Sequence, residues 1–363
     1  MRRAVALGAV ILPAIVAAQQ PDTSVKVTVG GFVDGYFAYD FNRPRALDRA
    51  FTTQAARHDE FNVNLAFLDA SLTGNRVHGR FAAQFGTSVQ ANYLGEPRVG
   101  TLSGPDVSRF IQEAFVGYQI AQPLWLDGGV FFSPFGSESW ISRDNWTYTR
   151  SLIADNSPYY EAGIRVVWQP SSAFSGQLHL INGWQNVSET NSDKALGIRL
   201  DYAMSSRLTV SYDGFAGNEA PDSSPRQLRL WHELIAQLAV TSALQLRGTY
   251  DYGTQQRADS DGRAAWRGYA LLARLKTSAV TALAARVEGY SDPEQVIVAT
   301  GHPYGLRAAG ASLNVDVAPA PRLLWRVELR SVAAHDPLFP SRQAASGLAR
   351  TDPFVVTSLA LTF

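Results

Sequence analysis

The chain has no cysteine among its 363 residues, so an exported form would have to do without disulfide staples. It has no net charge, with 32 basic and 32 acidic side chains. That excludes the basic field a nucleic-acid partner would need, and there is no acidic tail. Past the first residues, no apolar run approaches the roughly 18 residues of a membrane-spanning helix. If this chain lives in a membrane, it must cross as strands. What it does have is an N-terminal stretch, MRRAVALGAVILPAIVAAQQ. Two arginines precede an apolar run from Ala4 to Ala18 that ends in the small residues Val16-Ala17-Ala18. This is the pattern of a secretory signal peptide over 1–18, and the run is too short and too interrupted by Pro13 for an anchor. Cleavage after Ala18 would leave one domain, 19–363, with 30 basic and 32 acidic residues.

The dominant pattern in that domain has a period of two. In 195–213, Leu196, Ile198, Leu200, Tyr202, Leu208, Val210 and Tyr212 alternate with small or polar residues that include Arg199, Asp201 and Asp213. Such alternation is the signature of a strand with one apolar and one polar face. Sixteen segments read this way: 26–40, 59–73, 76–90, 108–120, 124–132, 158–169, 174–185, 193–203, 206–217, 226–240, 243–254, 265–277, 280–290, 305–317, 321–333 and 353–363. The fourth and twelfth alternate poorly, so 14 or 18 strands lie within the margin. In the second, Asp69 falls on the apolar parity, which predicts a bulge or strand end there.

The connections alternate as well. Short ones, such as Gly74-Asn75, Met204-Ser205, Thr241-Ser242 and Ser278-Ala279, carry the small residues of tight hairpins. Longer polar ones lie between them: 41–58, 91–107, 133–157, 186–192, 218–225, 255–264, 291–304 and 334–352. Putting every long loop at one end is the habit of an outer-membrane β-barrel, with short turns in the periplasm and long loops outside. The expected fold is therefore all-β, a transmembrane antiparallel up-and-down barrel in the bacterial outer membrane. Its apolar parity faces lipid and lipopolysaccharide, and its charged parity faces water. Lipid offers the backbone no hydrogen-bond partner, so the sheet must close on itself. Trp125, Trp168 and Tyr202 near short turns, and Trp184, Tyr212, Tyr250, Trp266 and Tyr290 near long loops, are expected to form interfacial girdles. The final segment ends on Phe363 and looks like the recognition signal for the outer-membrane assembly machinery.

Sixteen strands leave room for an aqueous channel, and no domain-sized segment remains to plug it. The expectation is a passive pore for small hydrophilic solutes. Its inward face would carry Arg80, Glu161 and Arg165, together with the pairs Arg199/Asp201, Arg229/Glu233, Arg247/Asp251, Arg286/Glu288 and Arg326/Glu328. Basic and acidic inward residues balance, which argues against a dedicated phosphate pore. They form either a salt-screened wall or a transverse field. Loop 133–157 is the longest and follows the fifth strand, where general porins fold a loop inward to narrow the channel; the other reading is a surface loop packed on its neighbours. Glu138, Arg143, Asp144, Arg150 and Asp155 are its constriction candidates. Trp140, Trp146 and Tyr148 point to an ordered, packed loop.

Several segments resemble the OmpL-like β-barrel porin family of Gram-negative bacteria: PFGSE at 134–138, NSPYYEAGIRVVWQPSS at 156–172, LINGWQN at 180–186 and DGFAGNE at 213–219. The triplet Asn182-Gly183-Trp184 is the most characteristic. The resemblance implies a single barrel with a porin role and brings no catalytic residues. Gly183 reads as a bend or close-packing position and Trp184 as an interface anchor.

Two other classes compete. A barrel enzyme would need a nucleophile and base. The histidines are scattered, His232 sits on the apolar parity, and there is no Gly-x-Ser-x-Gly elbow. An adhesin or receptor would act through its loops, which are mid-sized and polar. The stretch 257–268 starts with Arg257 and ends with Gly268, so it fails as an EF-hand. No metal and no cofactor are expected. Lipid-facing and subunit-facing apolar residues look alike, so the sequence is equally compatible with a homotrimer and a monomer.

Overall fold

A computed structural model of the protein describes residues 25–363. The expected signal peptide, 1–18, lies outside the described residues. Sixteen strands form the wall: β1 (Lys26–Asp40), β2 (Phe61–Thr73), β3 (Val77–Phe85), β4 (Ile111–Ala121), β5 (Leu124–Phe132), β6 (Tyr160–Trp168), β7 (Phe174–Ile181), β8 (Ala195–Ala203), β9 (Leu208–Asn218), β10 (Leu228–Ala239), β11 (Leu244–Gln256), β12 (Arg263–Lys276), β13 (Thr281–Asp292), β14 (Leu306–Ala320), β15 (Leu323–Ala334) and β18 (Thr351–Thr362). A small ribbon, β16 (Phe339–Pro340) with β17 (Leu348–Ala349), lies in the last loop. Each wall strand pairs antiparallel with its chain neighbours, and β1 pairs with β18 to close the barrel. All sixteen expected segments are strands.

The seam is set by backbone and by shape. Gly31 and Phe363 exchange both hydrogen bonds, at 3.1 and 3.0 Å. A Cβ on Gly31 would meet the Phe363 ring, so glycine provides the seat for the terminal aromatic. The alternation also has its expected physical outcome. Val29, Leu178, Leu234, Leu271, Leu313 and Leu359 are more than half exposed on the outer face. No described helix is long and apolar enough to cross a membrane; the apolar side chains that the alternation sets apart form the outer surface of the barrel.

Two irregularities have local causes. The β1–β2 register shifts between Asp34 and Gly35, where Leu65 and Val63 are the successive partners and Asn64 is the extra residue. This bulge flips the later parity of β2, so Asp69 points into the barrel, 3.3 Å from Arg80 Nε. The expected strand 76–90 instead stops at Phe85, and the chain turns into α1 (Thr87–Asn92). Val89 and Tyr93, one helical turn apart, bury their side chains inside the barrel. Two more short helices, α2 (Pro105–Ser108) and α3 (Leu152–Asp155), lie in the second and third long loops.

The girdle expectation holds for half its members. Trp168, Tyr202 and Tyr250 are exposed on the outer face, and Tyr212 shares that face with its hydrogen-bond partner His232, 2.6 Å away. Trp184, Trp266 and Tyr290 are instead buried inside the barrel at 8%, 1% and 4% exposure. Trp125 stacks on inward-facing His78 at 4.3 Å. The reason is parity: Trp125 shares a face with Asp127, Trp266 with Gly268, and Tyr290 with Arg286 and Glu288.

Candidate functional site

The lumen is organised by the loop between β5 and β6. The loop leaves the wall through a hydrogen bond from Ser133 N to Tyr159 O, 2.9 Å, and then folds inward. Along its path its backbone and side chains are bound by wall residues in turn. Gly136 N donates to Asp213 Oδ2 on β9 at 3.1 Å. The Ser137 and Thr249 hydroxyls, the latter on β11, lie 2.8 Å apart. The Ser142 hydroxyl donates to Asp34 Oδ2 on β1 at 2.7 Å, and Tyr148 N to Asn314 Oδ1 on β14 at 3.2 Å. Thr149 N donates to Glu328 Oε2 on β15 and Leu152 N to Glu288 Oε2 on β13, both at 2.6 Å. A loop has no ladder to satisfy its N–H groups, and the inward carboxylates take that role. A Cβ on Gly268 of β12 would collide with Ile153; its absence lets the start of α3 lie against the wall.

Beneath this loop the wall charges are dry. Arg286, Arg326 and Arg330 are at most 2% exposed, and Glu288 and Glu328 are fully buried. They neutralise one another. Arg330 lies 2.8 Å and Arg286 3.3 Å from Glu288, Arg286 lies 3.4 Å from Glu328, and Arg326 lies 2.9 Å from Asp316. Arg286 also donates to Thr147 Oγ1 and Thr149 O, and Arg326 to Asn145 O. Buried charge is tolerable only when paired and hydrogen-bonded in this way.

The first two long loops stack on the third. Trp140 donates its indole N–H to Ser88 Oγ of α1 at 3.1 Å and accepts at its carbonyl from Gln54 of the first loop at 2.8 Å. Arg150 is completely buried where the three loops meet. It lies 3.3 Å from Asp155 and 3.2 Å from Asn92 Oδ1, its guanidinium 3.5 Å above the Tyr159 ring, and it also bonds the Thr53 hydroxyl. Burial pushes the Asp155 carboxyl up from its ordinary range, with Arg150 opposing. These packed loops enclose two adjoining cavities of about 620 and 420 Å³, which share Thr53, Ala91, Asp155 and Asn156. A third, of about 300 Å³, lies between the start of the loop and Arg199.

The residues expected at the pore thus fall into two groups. Every wall member keeps its inward parity. Arg80, Arg165, Arg199 and Asp201 retain solvent contact, with side chains 23%, 16%, 17% and 30% exposed. Glu161, Arg229, Glu233, Arg247 and Asp251 are buried, as are the β13 and β15 charges. In the loop, Asp144 is exposed and Arg143 half-buried, reaching Arg322 O and Thr362 Oγ1 at 2.7 Å. Glu138, Arg150 and the Asp155 side chain are enclosed. Sequence reasoning missed the contributions of Thr53 and Gln54, which sit in a polar loop without a periodic signal, and of Ser88 and Asn92, which stand on α1 where the strand 76–90 and the loop after it were expected. It also missed the inward aromatic cluster. Trp184 meets Phe215, Trp231 and Trp266 edge-on at 4.9, 5.4 and 6.2 Å, so it is a packing residue of the lumen and not an interface anchor. Trp231 shares its parity with Arg229 and Glu233, a signal that was present. Among the described residues, no group of three or more His, Asp or Glu side chains is placed to hold a metal ion.

A closed sixteen-strand barrel with short turns at one end, long loops at the other and its third long loop folded inside is the architecture of an outer-membrane porin. Residues 26–363 match the family described as "Putative beta-barrel porin-2, OmpL-like", and the chain belongs to that family. Among curated proteins no sequence relative matches. In fold it is similar to an anion-selective porin from Comamonas acidovorans, with a TM-score of 0.60 at 13% identity over 93% of this chain and 100% of that one. It is likewise similar to the outer membrane channel DcaP of Acinetobacter baumannii, with a TM-score of 0.60 at 12% identity over 93% and 97%. A trimer form of OmpT, an outer membrane protein of Vibrio cholerae, aligns with a TM-score of 0.55 at 9% identity over 93% and 99%. At these identities the likeness is one of fold. With the family, it makes the protein a bacterial outer-membrane channel for passive diffusion of solutes.

Proposed function

We propose that the channel passes small hydrophilic solutes, that the loop 133–157 sets its clearance, and that the protein performs no catalysis. The observation that carries this reading is the capture of the loop's backbone by three wall carboxylates, Asp213, Glu288 and Glu328. A loop held this way has a fixed position across the lumen. The charges that meet a passing solute are then the solvated ones: Arg80, Arg165, Arg199 and Asp201 on the wall, with Arg143 and Asp144 on the loop. Both signs are present, which favours weak ion selectivity.

The outer apolar face contacts outer-membrane lipid and lipopolysaccharide, and the Phe363 strand is the segment offered to the assembly machinery. A homotrimer is supported by the trimer form of the OmpT neighbour. Planar-bilayer recording of the refolded protein tests the channel: stepwise ion conductance is expected. A silent barrel that hydrolyses lipid or binds a host ligand would overturn the reading in favour of an enzyme or an adhesin. Asp144→Lys and Arg143→Glu should move the reversal potential in opposite directions under a salt gradient. No movement in either would remove the loop from the permeation path.

A further inference from the structure

Strand parity keeps charge off the outer face, and two arginines break that rule. Arg267 of β12 and Arg307 of β14 are exposed on the outer parity, which otherwise carries residues such as Tyr269 and Leu271 on β12 and Ala309 and Leu313 on β14. They stand in one cross-strand row. Arg267 is opposite Ser291 of β13, and Ser291 is opposite Arg307. With one strand between them their roots are roughly 10 Å apart, close enough for both guanidiniums to reach over Ser291. The row also has a definite height. Arg267 is opposite Tyr252 of β11, and the next outward pair below it is Tyr250 with Tyr269. All three tyrosines are exposed, and such a band marks the membrane interface. The two arginines therefore lie at headgroup level, at the end of the barrel that carries the long loops.

Neighbouring charges are spent within the protein, whereas these two are not. Arg263, four residues earlier on the same face, donates to Thr254 Oγ1 and Leu228 O at 2.9 and 3.0 Å. Arg257 pairs with Glu294, and His335, whose N–H donates to Arg307 O, pairs with Asp336 at 3.0 Å. Asp259 and Asp261 stand exposed on the loop before β12. Among the described residues, Arg267 and Arg307 have no acidic partner. Two free guanidiniums flanking a hydroxyl suit a phosphate, to which arginine donates in pairs. Directly below the row the face is apolar. A Cβ on Gly289 would collide with the Tyr269 ring, so glycine lets that ring lie over β13, and Leu271, Val287 and Leu313 are at least half exposed. We propose that Arg267, Ser291 and Arg307 bind a phosphate on the headgroup of an outer-leaflet glycolipid, lipopolysaccharide, whose acyl chains run down the outer face of β12–β14. The apolar surface beneath the row selects a lipid over free phosphate. The site makes specific the lipid contact proposed above, on which it rests.

The test uses the full refolded chain in neutral detergent, titrated with diphosphorylated lipid A, with the same lipid dephosphorylated and with inorganic phosphate. Bound lipid is counted by native mass spectrometry. The diphosphorylated lipid should bind at least fivefold tighter than the dephosphorylated one, and millimolar inorganic phosphate should not displace it. Arg267→Gln and Arg307→Gln should each lower that preference about twofold and together abolish it. Arg226→Gln removes one charge from an exposed side chain on the loop between β9 and β10 and should leave the preference unchanged. All three positions are exposed, and the heat-modifiable folded band reports that each variant folds. Displacement by inorganic phosphate, a preference that survives in the double variant, or an equal loss in Arg226→Gln would overturn the site. Equal binding of the two lipids sinks the phosphate site and leaves the lipid contact standing, whereas a barrel that binds neither lipid sinks both. Bilayer conductance reports on the channel separately.

Discussion

The two sides of the lumen wall use the same residue types to different ends. On β13 and β15, Arg286, Glu288, Glu328 and Arg330 form a closed network with essentially no solvent contact, with the equally dry Arg326 paired to Asp316 of β14 beside it, all roofed by the inward loop. On β3, β6 and β8, Arg80, Arg165, Arg199 and Asp201 pair with neighbours yet stay wet. Facing inward and lining water are therefore separate properties. The first follows from strand parity. The second depends on what a loop from elsewhere in the chain places on top.

The sharpest way to break the comparison is Arg286→Ala on the dry side. It leaves the buried Glu328 without a cation, takes from Glu288 one of its two, and removes donors to Thr147 and Thr149, so it should cost about 3–5 kcal/mol. The loss is read as a lower urea midpoint of the heat-modifiable folded band, and the undocked loop should raise single-channel conductance. Gly268→Leu attacks the same roof by shape alone. It should displace Ile153, cost about 1–3 kcal/mol and alter conductance without changing any charge. A wild-type current trace from this variant would show that α3 is not held by β12. On the wet side, Arg165→Gln leaves Asp127 its other partner, His78, at 2.7 Å. With that partner kept, its cost should be smaller than that of Arg286→Ala, while the reversal potential shifts toward cations. A loss comparable to that of Arg286→Ala would erase the distinction between the walls.

The smallest effect is in pH. Burial holds the Asp155 carboxyl above its ordinary range, so between the ordinary and raised values the folded protein binds a proton that the unfolded chain has released. Stability then rises as pH falls through that window. Asp155→Asn should flatten this slope in a pH series of urea titrations, and an unchanged slope would assign it to other groups.

The wall was legible in the sequence because lipid and water impose opposite demands on successive side chains. Short and long connections gave the strand order and orientation by the same logic. Even the poor alternation of the twelfth segment has its explanation in the structure. The inner face of β12 carries Ala264, Trp266, Gly268, Ala270 and Leu272, which are buried inside the barrel, so over this stretch the inner face lacks the polar residues that mark it on other strands. Asp69 on the wrong parity correctly announced a bulge, although the extra residue is Asn64, five positions earlier. The roof itself was only partly legible. The position and length of 133–157 fitted an inward loop or a surface loop alike and its aromatics pointed to an ordered one, whereas its partners Thr53, Gln54, Ser88 and Asn92 come together through long-range packing that leaves no local pattern. Trp184, Trp266 and Tyr290 were misplaced because closeness to a long loop was weighed above parity.

The dry network on β13 and β15 also constrains how this sequence can vary through descent. A wet residue such as Asp201 can drift to another polar type singly, since water absorbs the change and its partner Arg199 keeps Asp213. A member of the roofed set cannot, because its neighbours would be left with bare charge. Homologous chains should therefore exchange Arg286, Glu288, Glu328 and Arg330 only in concert, as coupled substitutions or as wholesale replacement by neutral side chains.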